Sequence, residues 1–290
     1  MLIVSWNIAG RVKCMDAQAK LLLALGADIV CLQELTPTTL PTWQARLQAA
    51  GYHTLSAPEP PPDSSRRLSV LSAARAPLRQ LALPELPWPE RALATCLPDG
   101  CEILNLHSPT SPKPALAKIR THEAVFAHLA VNAPGRLRLL CGDFNTPRRE
   151  HPDGTIWTFA RDQYGRLRPE RGERWDRAEL ALISGLDAYG FRDAFRAMHG
   201  YGRRQHSWEW RRWRGGYRLD HLLLSGPWKI ARCDYLHAFR KSGLSDHSAL
   251  IAELQPETSS EASGVTQRTA AGNDVLPTRE SATKKGAAHD

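Results

Sequence analysis

The chain has 290 residues, with 38 lysines and arginines against 30 aspartates and glutamates, which gives a formal net charge of +8. Its length is typical of one or two domains, and its 42% hydrophobic residues can form a sizeable core. No apolar run reaches the length of a membrane-spanning helix, so we expect no membrane association. The positive charge fits a polyanionic partner, because contacts with phosphates release counterions.

The cysteines and the first residues predict the compartment. Six cysteines are scattered without the spacing of a metal site or of a disulfide framework. The first strand-like run starts at Leu2, and no signal peptide precedes it. We therefore expect reduced thiols and a cytoplasmic protein.

Strand-like and helix-like runs alternate at the start of the chain. Residues 2–6 and 28–33 are apolar runs that predict strands. Between them, residues 15–23 carry apolar side chains at helical spacing. Residues 41–50 predict a second helix, which ends at Gly51.

Further strands are predicted after a proline-rich loop. Residues 68–72 and 93–97 are short apolar runs. Pro98-Asp99-Gly100 predicts the turn of a hairpin, whose second strand ends at His107.

The next predicted elements are a helix, a loop and another helix. Residues 115–131 predict a helix on which His122 and His128 are expected to be exposed. Residues 146–175 are polar and irregular, and a loop of that length is usually functional or mobile. Residues 176–199 predict another helix.

The last strands and the domain boundary follow from a change in composition. Residues 230–236 and 249–254 predict two final strands. Large apolar residues nearly vanish after residue 255, and such a segment cannot bury enough surface to become ordered. We predict one domain at 1–255 and a disordered tail at 256–290.

Polar residues at the ends of the predicted strands carry the functional signal. Gly142-Asp143-Phe144-Asn145 follows an apolar run, and residues two apart on an extended chain point the same way. Alone, this pattern is also typical of an ordinary turn. Other strand-like runs end in or open onto further polar residues, in the order Asn7, Glu34, His107, Asp220, Asp246 and His247.

This ordered set resembles the endonuclease/exonuclease/phosphatase superfamily, which includes exonuclease III, apurinic/apyrimidinic endonucleases and DNase I. The motifs are SWN, LQE, NLHSP, GDFN, RLDHLLLS and SDHS, and the resemblance covers roughly residues 1–255. It implies an α+β fold, a four-layer α/β/β/α sandwich of two mixed β-sheets flanked by helices.

The subfamily is left open by two motifs. Leu106-His107-Ser108-Pro109 resembles the His-bearing segment of DNase I, where exonuclease III relatives usually carry a Tyr. His206-Ser207-Trp208 resembles a segment of exonuclease III-type enzymes, whose Trp lies near the substrate sugar. The motifs therefore indicate the reaction type more clearly than the substrate.

The resemblance also implies a metal cofactor. Hydrolysis of a phosphodiester requires charge on the phosphoryl and leaving oxygens to be offset, which a hard divalent cation can do. Mg²⁺ takes oxygen ligands, and Mn²⁺ is equally compatible with them. Glu34 is the first candidate ligand, with Asn7 and Asp246 in the same shell.

The remaining motif residues are assigned to catalysis by the same resemblance. Asp143 would orient or deprotonate the attacking water, and Asn145 would bind a phosphoryl oxygen or that water. Asp220 would pair with His247 and favour a charged imidazolium that stabilises the transition state. His107 would stabilise a phosphoryl oxygen or protonate the leaving group. The sequence leaves open whether Asp143 or His247 is the general base.

Candidate substrate contacts lie near the last two motifs. Residues 203–218 interleave arginines with tryptophans and a tyrosine just before Asp220. Arginines contact phosphates and aromatic faces stack on sugars or bases, although packed tryptophans with solvated arginines are an equally good interpretation. We single out Trp208 and Arg212 in this segment, and Arg148 shortly after the GDFN motif.

Three hypotheses follow. The leading one is a monomeric, Mg²⁺-dependent phosphodiesterase that hydrolyses nucleic acid, specifically a DNA endonuclease or exonuclease of the exonuclease III type in DNA repair. The alternative is an enzyme on small-molecule or lipid phosphoesters, such as an inositol phosphatase or a sphingomyelinase. The third is a non-catalytic nucleic-acid binder with a decayed site, against which the intact acidic set argues.

Overall fold

The computed structural model describes residues 1–64, 66–110, 116–210 and 215–257. Their strands are, in chain order, β1 (Leu2–Asn7), β2 (Ile29–Leu35), β3 (His53–Ser56), β4 (Ser69–Ala74), β5 (Arg79–Leu81), β6 (Ala92–Cys96), β7 (Glu102–His107), β8 (Arg138–Asp143), β9 (Arg149–Glu150), β10 (Ile156–Trp157), β11 (Phe191–Asp193), β12 (Trp208–Glu209), β13 (Gly216–Tyr217), β14 (Asp220–Ser225), β15 (Trp228–Leu236) and β16 (Ala249–Pro256). Their α-helices are α1 (Met15–Ala24), α2 (Leu40–Ala49), α3 (Ala117–Leu129), α4 (Gly172–Ile183), α5 (Ala194–His199) and α6 (His237–Lys241).

Most strands belong to two six-stranded sheets. The first has the order β15-β16-β1-β2-β4-β3, and the second has the order β11-β14-β8-β7-β6-β5. The pairs β1–β2 and β7–β8 are parallel and the other pairs are antiparallel, so both sheets are mixed.

Successive side chains of a strand point to opposite faces of its sheet, so each sheet has one face toward the other sheet and one face toward the helices. Leu139 and Cys141 of β8 lie in the core between the sheets, whereas Leu140 packs toward α3 and α4. Helices α1, α2 and α6 cover the outer face of the first sheet in the same way. The predicted four-layer α/β/β/α sandwich of the α+β class is confirmed.

The prediction of one continuous helix over 176–199 is wrong at residues 184–193, between α4 and α5. Helix α4 ends at Ile183, a 3-10 helix follows, and β11 precedes the short α5. Gly190, with φ of 78°, ends the 3-10 helix in the left-handed conformation that glycine adopts readily. Pairing of β11 with the edge of β14 overrides the local helical spacing.

The expected exposure of His122 is also wrong. The ring is fully buried, because α4 packs against α3, and its Nε2 lies 2.7 Å from Ser108 Oγ. His128 lies on the same helix and is half-buried.

A buried amide pair joins the two sheets next to their polar edge. Gln33 Nε2 of β2 donates to Asn105 Oδ1 of β7 at 2.8 Å. Asn105 Nδ2 in turn donates to the carbonyl oxygens of Leu32 and Leu71 at 3.2 and 2.9 Å. Because unpaired buried amides are costly, this network fixes the positions of the residues that follow in both strands.

A second buried network joins the segment after β8 to the start of β14. Glu150 accepts hydrogen bonds from the guanidinium groups of Arg196 and Arg218 at 2.6 to 3.1 Å. Arg218 also lies 2.8 Å from Asp193 Oδ2. Burial alone would raise the pKa of Glu150, but Arg218 and Arg196 outweigh burial and lower it to about 2.

The compact unit of the chain comprises Met1–Pro256. Within the described residues, no helix is both long enough and apolar enough to cross a membrane. The division into a domain at 1–255 and a disordered tail at 256–290 stays a prediction, because residues 258–290 lie outside the described part of the chain.

Glu150→Gln should destabilise the protein in a pH-dependent manner. The folded-state pKa of about 2 lies below the ordinary value of 4.5. The carboxylate therefore stabilises the fold above the ordinary pKa, and this contribution is lost as the pH falls toward the folded-state value. We expect the variant to lose roughly 3 kcal/mol of unfolding free energy at neutral pH, with the difference closing in acid.

Urea unfolding across this acidic range measures the effect. The exposed Glu253 of β16 provides a control, because Glu253→Gln changes the same functional group outside the network. A loss of stability that does not vary with pH would contradict the ion-pair explanation.

Candidate active site

The predicted catalytic residues meet at one edge of the sandwich. The parallel strands β1 and β2 carry Asn7 and Glu34 at their carboxyl ends. The parallel strands β7 and β8 end at His107 and Asp143, which are register partners. Asp220 begins β14 directly opposite Asp143. Strand direction and register therefore bring distant parts of the sequence together.

Asp143 lies at the centre of this group. Its Oδ2 accepts a hydrogen bond from Asn7 Nδ2 at 3.0 Å, and its Oδ1 accepts one from Asn145 N at 2.9 Å. The Nε2 atoms of His247 and His107 lie 3.7 and 4.0 Å from Oδ2. Burial raises the pKa of Asp143 to about 7, although His247 acts in the opposite direction.

His247 is an imidazolium between two carboxylates. Its Nδ1 donates to Asp220 Oδ2 at 2.8 Å, and its Nε2 faces Asp143. Burial alone would lower the pKa of His247, but Asp220 and Asp143 outweigh burial and raise it to about 10. The backbone is fixed as well, because Trp6 Nε1 donates to His247 O at 3.2 Å and His247 N donates to Ser245 Oγ at 3.0 Å.

His107 is neutral. Its ring is almost completely buried, and Nε2 lies 3.5 Å from Glu34 Oε1. Burial, together with the nearby Arg91, lowers the pKa of His107 well below its ordinary value. Among the described residues, Nδ1 of this ring has no hydrogen-bond partner.

The backbone at this edge adopts conformations that are rare elsewhere. Glu34 and Asn145 have φ of 61° and 51°, in the left-handed region that few residues other than glycine occupy. At Gly142, a Cβ atom would lie 1.9 Å from Leu106 O, so only glycine lets β7 and β8 approach each other there. Strain of this kind clusters at functional sites.

Residues that sequence patterns did not reveal hold Asn145. Asn145 Nδ2 donates to Ser108 O at 2.7 Å, and its carbonyl oxygen accepts from Lys118 Nζ at 2.7 Å. Lys118 also lies 2.5 Å from Glu179 Oε1, and Thr146 Oγ1 donates to Glu179 Oε2 at 2.7 Å. Lys118 and Glu179 are buried in α3 and α4. A charged residue on the buried face of a helix is the signal that could have identified them.

The remaining predicted metal ligands have additional partners. Asp246 Oδ2 accepts a hydrogen bond from Trp208 Nε1 at 3.2 Å, so Trp208 orients this carboxylate. Asn7 directs its amide nitrogen to Asp143, and its Oδ1 accepts a hydrogen bond from Ala9 N at 3.0 Å. Both the nitrogen and the oxygen of the Asn7 side-chain amide are therefore hydrogen-bonded.

A cavity of about 500 Å³ opens beside Asp143. Apolar and aromatic side chains form one of its walls, namely Phe159, Trp208, Tyr217 and Leu219. Tyr217 lies parallel to Trp208 at 6.0 Å between ring centres, and edge-on to Phe159 at 5.0 Å. Phe159 was missed because an aromatic residue in an irregular polar stretch has no periodicity.

The other predicted substrate contacts are not in this wall. Arg148 lines a neighbouring cleft, and Arg212 lies outside the described residues. Cations in the lining of the catalytic cavity come instead from Lys118 and from Arg66 and Arg171, which were not predicted.

The carboxylates at the edge of the cavity suit a divalent cation. Glu34, His107 and Asp143 each offer a ligand atom, and these atoms lie within 4.8 Å of one another. Asp246 lines the same cavity as Glu34. Among the described residues, the ion-pair contact of Glu34 is to His107, which its lowered pKa keeps neutral. Carboxylate oxygens without a cationic partner are the ligands that Mg²⁺ and Mn²⁺ prefer.

Several solved structures resemble the chain. An AP endonuclease from Archaeoglobus fulgidus has a TM-score of 0.68 at 19% identity, covering 88% of this chain and 99% of that one. The 3′-5′ exonuclease NExo from Neisseria meningitidis has a TM-score of 0.64 at 22% identity, covering 88% and 100%. TDP2 from D. rerio, complexed with a single-stranded DNA product, has a TM-score of 0.62 at 15% identity, covering 88% and 98%.

Identities this low show the shared fold alone. No curated protein matches the chain by sequence. A family model described as the Endonuclease/Exonuclease/phosphatase family, however, matches residues 4–247, a range that includes every motif residue from Asn7 to His247. The chain therefore belongs to the endonuclease/exonuclease/phosphatase family of phosphoric-ester hydrolases.

Proposed function

We propose that the protein is a divalent-metal-dependent phosphodiesterase that cleaves nucleic acid, as a DNA endonuclease or exonuclease of the exonuclease III type in DNA repair. The cluster around Asp143 carries this proposal. There, a buried carboxylate with a pKa of about 7 lies 3.7 Å from the imidazolium of His247 and lines one cavity with Glu34 and Asp246.

Asp143 is the general base in this proposal. Hydrogen bonds from Asn7 and from the backbone of Asn145 fix its orientation. Its raised pKa allows it to accept a proton from an attacking water near neutral pH. His247 is not the base, because its two carboxylate neighbours keep it protonated.

His247 instead stabilises charge on the phosphoryl group. Asp220 holds its Nδ1, which leaves the Nε2–H to donate to a developing negative charge in the cavity. Asn145 contributes a neutral amide donor, of which one N–H is already committed to Ser108 O. His107 is buried outside the lining of the cavity, with its Nε2 3.5 Å from Glu34 Oε1, so we assign it to the positioning of that carboxylate.

Glu34 and Asp246 would hold a Mg²⁺ or Mn²⁺ ion, which would offset charge on the phosphoryl and leaving oxygens. Trp208 keeps the carboxylate of Asp246 in place through its indole N–H. Asn7 is buried and its amide nitrogen holds Asp143, so we assign it to the orientation of the base.

The walls of the cavity favour nucleic acid over a small polar ester. Trp208, Tyr217 and Leu219 present apolar surface to a sugar or a base. Arg66 lies in the same lining, where its guanidinium can contact a phosphate. An inositol phosphate, in contrast, is polar on every face and would leave the aromatic wall without a partner.

Digestion of labelled duplexes that carry a nick, an abasic site or neither tests the proposal. We expect Mg²⁺-dependent cleavage of at least one duplex. A parallel panel of inositol phosphates and sphingomyelin tests the alternative. Preference for a small ester by orders of magnitude would overturn the assignment to nucleic acid.

Asp143→Asn should lower kcat by about a thousandfold or more, because it removes the base and keeps the shape of the side chain. Turnover of a chromogenic phosphodiester and of DNA measures the loss. Binding of DNA in a chelator should change little, and the thermal unfolding midpoint should not fall. Asp63→Asn, at an exposed position, is the matched control. A variant with normal kcat would remove Asp143 from the mechanism.

Chelation should abolish turnover, and Mg²⁺ or Mn²⁺ should restore it. Glu34→Gln should raise the metal concentration needed for half-maximal activity at least about tenfold, since even indirect partners of a metal site usually contribute that much. Calorimetric titration with Mn²⁺ gives an independent measure, with Glu253→Gln as the control. Full activity in the chelator would contradict the role of the carboxylates.

A further inference from the structure

A second cleft lies next to the catalytic cavity. It has a volume of about 330 Å³ and shares Tyr217 with the cavity. We call it the distal cleft and define it by Arg148, Arg149, Trp157, Arg204, Trp210 and Tyr217. Because one tyrosine lines both spaces, the distal cleft is adjacent to the catalytic cavity.

The distal cleft has an excess of positive charge. The carboxylate in its lining, Glu150, is already paired with Arg196 and Arg218. Arg149 and Arg204 are exposed and form no ion pair with the described residues. Side-chain cations that protein carboxylates do not neutralise attract an anionic ligand.

Aromatic faces line the same cleft. The Trp210 side chain is 37% exposed and lies edge-on to Tyr217, with 4.7 Å between ring centres. Trp157 packs on Gly165, where a Cβ atom would lie 2.6 Å from the indole, and Arg149 lies 5.6 Å from the Trp157 ring centre. These rings are held by their neighbours before any ligand binds.

We propose that the distal cleft binds an unpaired segment of the polynucleotide strand whose scissile phosphate lies in the catalytic cavity. This inference rests on the proposed function and narrows its substrate to a strand that extends beyond the cleaved bond. Arg149 and Arg204 contact its phosphates, and Trp210 stacks on a base. Single-stranded nucleic acid binds to cations that contact its phosphates and to aromatic faces that stack on its bases. An acidic peptide would contact the arginines and would leave the aromatic faces without a partner.

The first test compares a strand with a small ester. The measured quantity is the ratio of kcat/KM for octathymidylate to kcat/KM for bis(p-nitrophenyl) phosphate, which is too small to reach the distal cleft. We expect Arg149→Gln with Arg204→Gln to lower this ratio about tenfold. Arg79→Gln with Arg120→Gln is the matched control, because these arginines are exposed and line none of the clefts described above. An unchanged ratio, or an equal fall in the control, would overturn the proposal.

Binding separates this proposal from the proposed function. Fluorescence anisotropy of labelled octathymidylate in EDTA requires no turnover. Removing two phosphate contacts should lower the slope of log Kd against log salt by about 1.4. If the enzyme cleaves no phosphodiester but this slope still falls, the nuclease assignment fails and the distal cleft stands. If cleavage occurs and the slope equals that of the control, the distal cleft fails alone.

Trp210→Leu tests the stacking contact. The variant should bind octathymidylate about tenfold more weakly, and an abasic deoxyribose-phosphate octamer with unchanged affinity. Equal losses for both ligands would show that the tryptophan shapes the cleft and does not stack on a base.

Discussion

The imidazolium of His247 lies between two buried carboxylates, and both the site and the polar edge of the sandwich depend on it. Asp143 and Asp220 face each other across β8 and β14, where like charges destabilise an antiparallel pair. His247 comes from the segment before β16 in the other sheet and brings the compensating charge. Removing the cation of His247 leaves the two buried carboxylates unpaired, which costs far more than an exposed ion pair contributes. The arrangement that is proposed to activate water therefore also holds the polar edge of the sandwich together.

Ion pairs also neutralise buried carboxylates further from His247. Two further groups of ion pairs lie beside the segment that follows Asp143. Lys118 neutralises Glu179, and Arg196 and Arg218 neutralise Glu150. These pairs are buried, so they fix the backbone around Asn145 and are screened little by salt. Arg149 and Arg204 of the distal cleft form no ion pair with the described residues and are proposed to contact a polyanion. Positive charge thus surrounds a centre in which the carboxylates are paired or are proposed to hold a metal ion.

Sequence patterns located most of the candidate site. The ordered motifs resemble one superfamily, and that resemblance assigned Asn7, Glu34, His107 and Asp143 to one site. The structure places them at the carboxyl ends of two parallel strand pairs. Residues that act through packing carry no such signal. Lys118 and His122 lie on a helix whose burial depends on α4, a partner more than forty residues away in the sequence. The strand β11 was read as helix for the same reason, because pairing with β14 decides its conformation.

The sequence by itself determined most of the helices and strands that carry the motifs, because apolar periodicity is a local property of the chain. Its motif residues also identified the acids and histidines of the centre, and their resemblance to a known superfamily implied the fold class. The tertiary structure alone decided the protonation of Asp143, His107 and His247, because each pKa depends on burial and on charges from distant segments. It also decided that Trp208 orients Asp246 and that Arg148 faces a second cleft, since direction in space depends on how the chain folds back on itself.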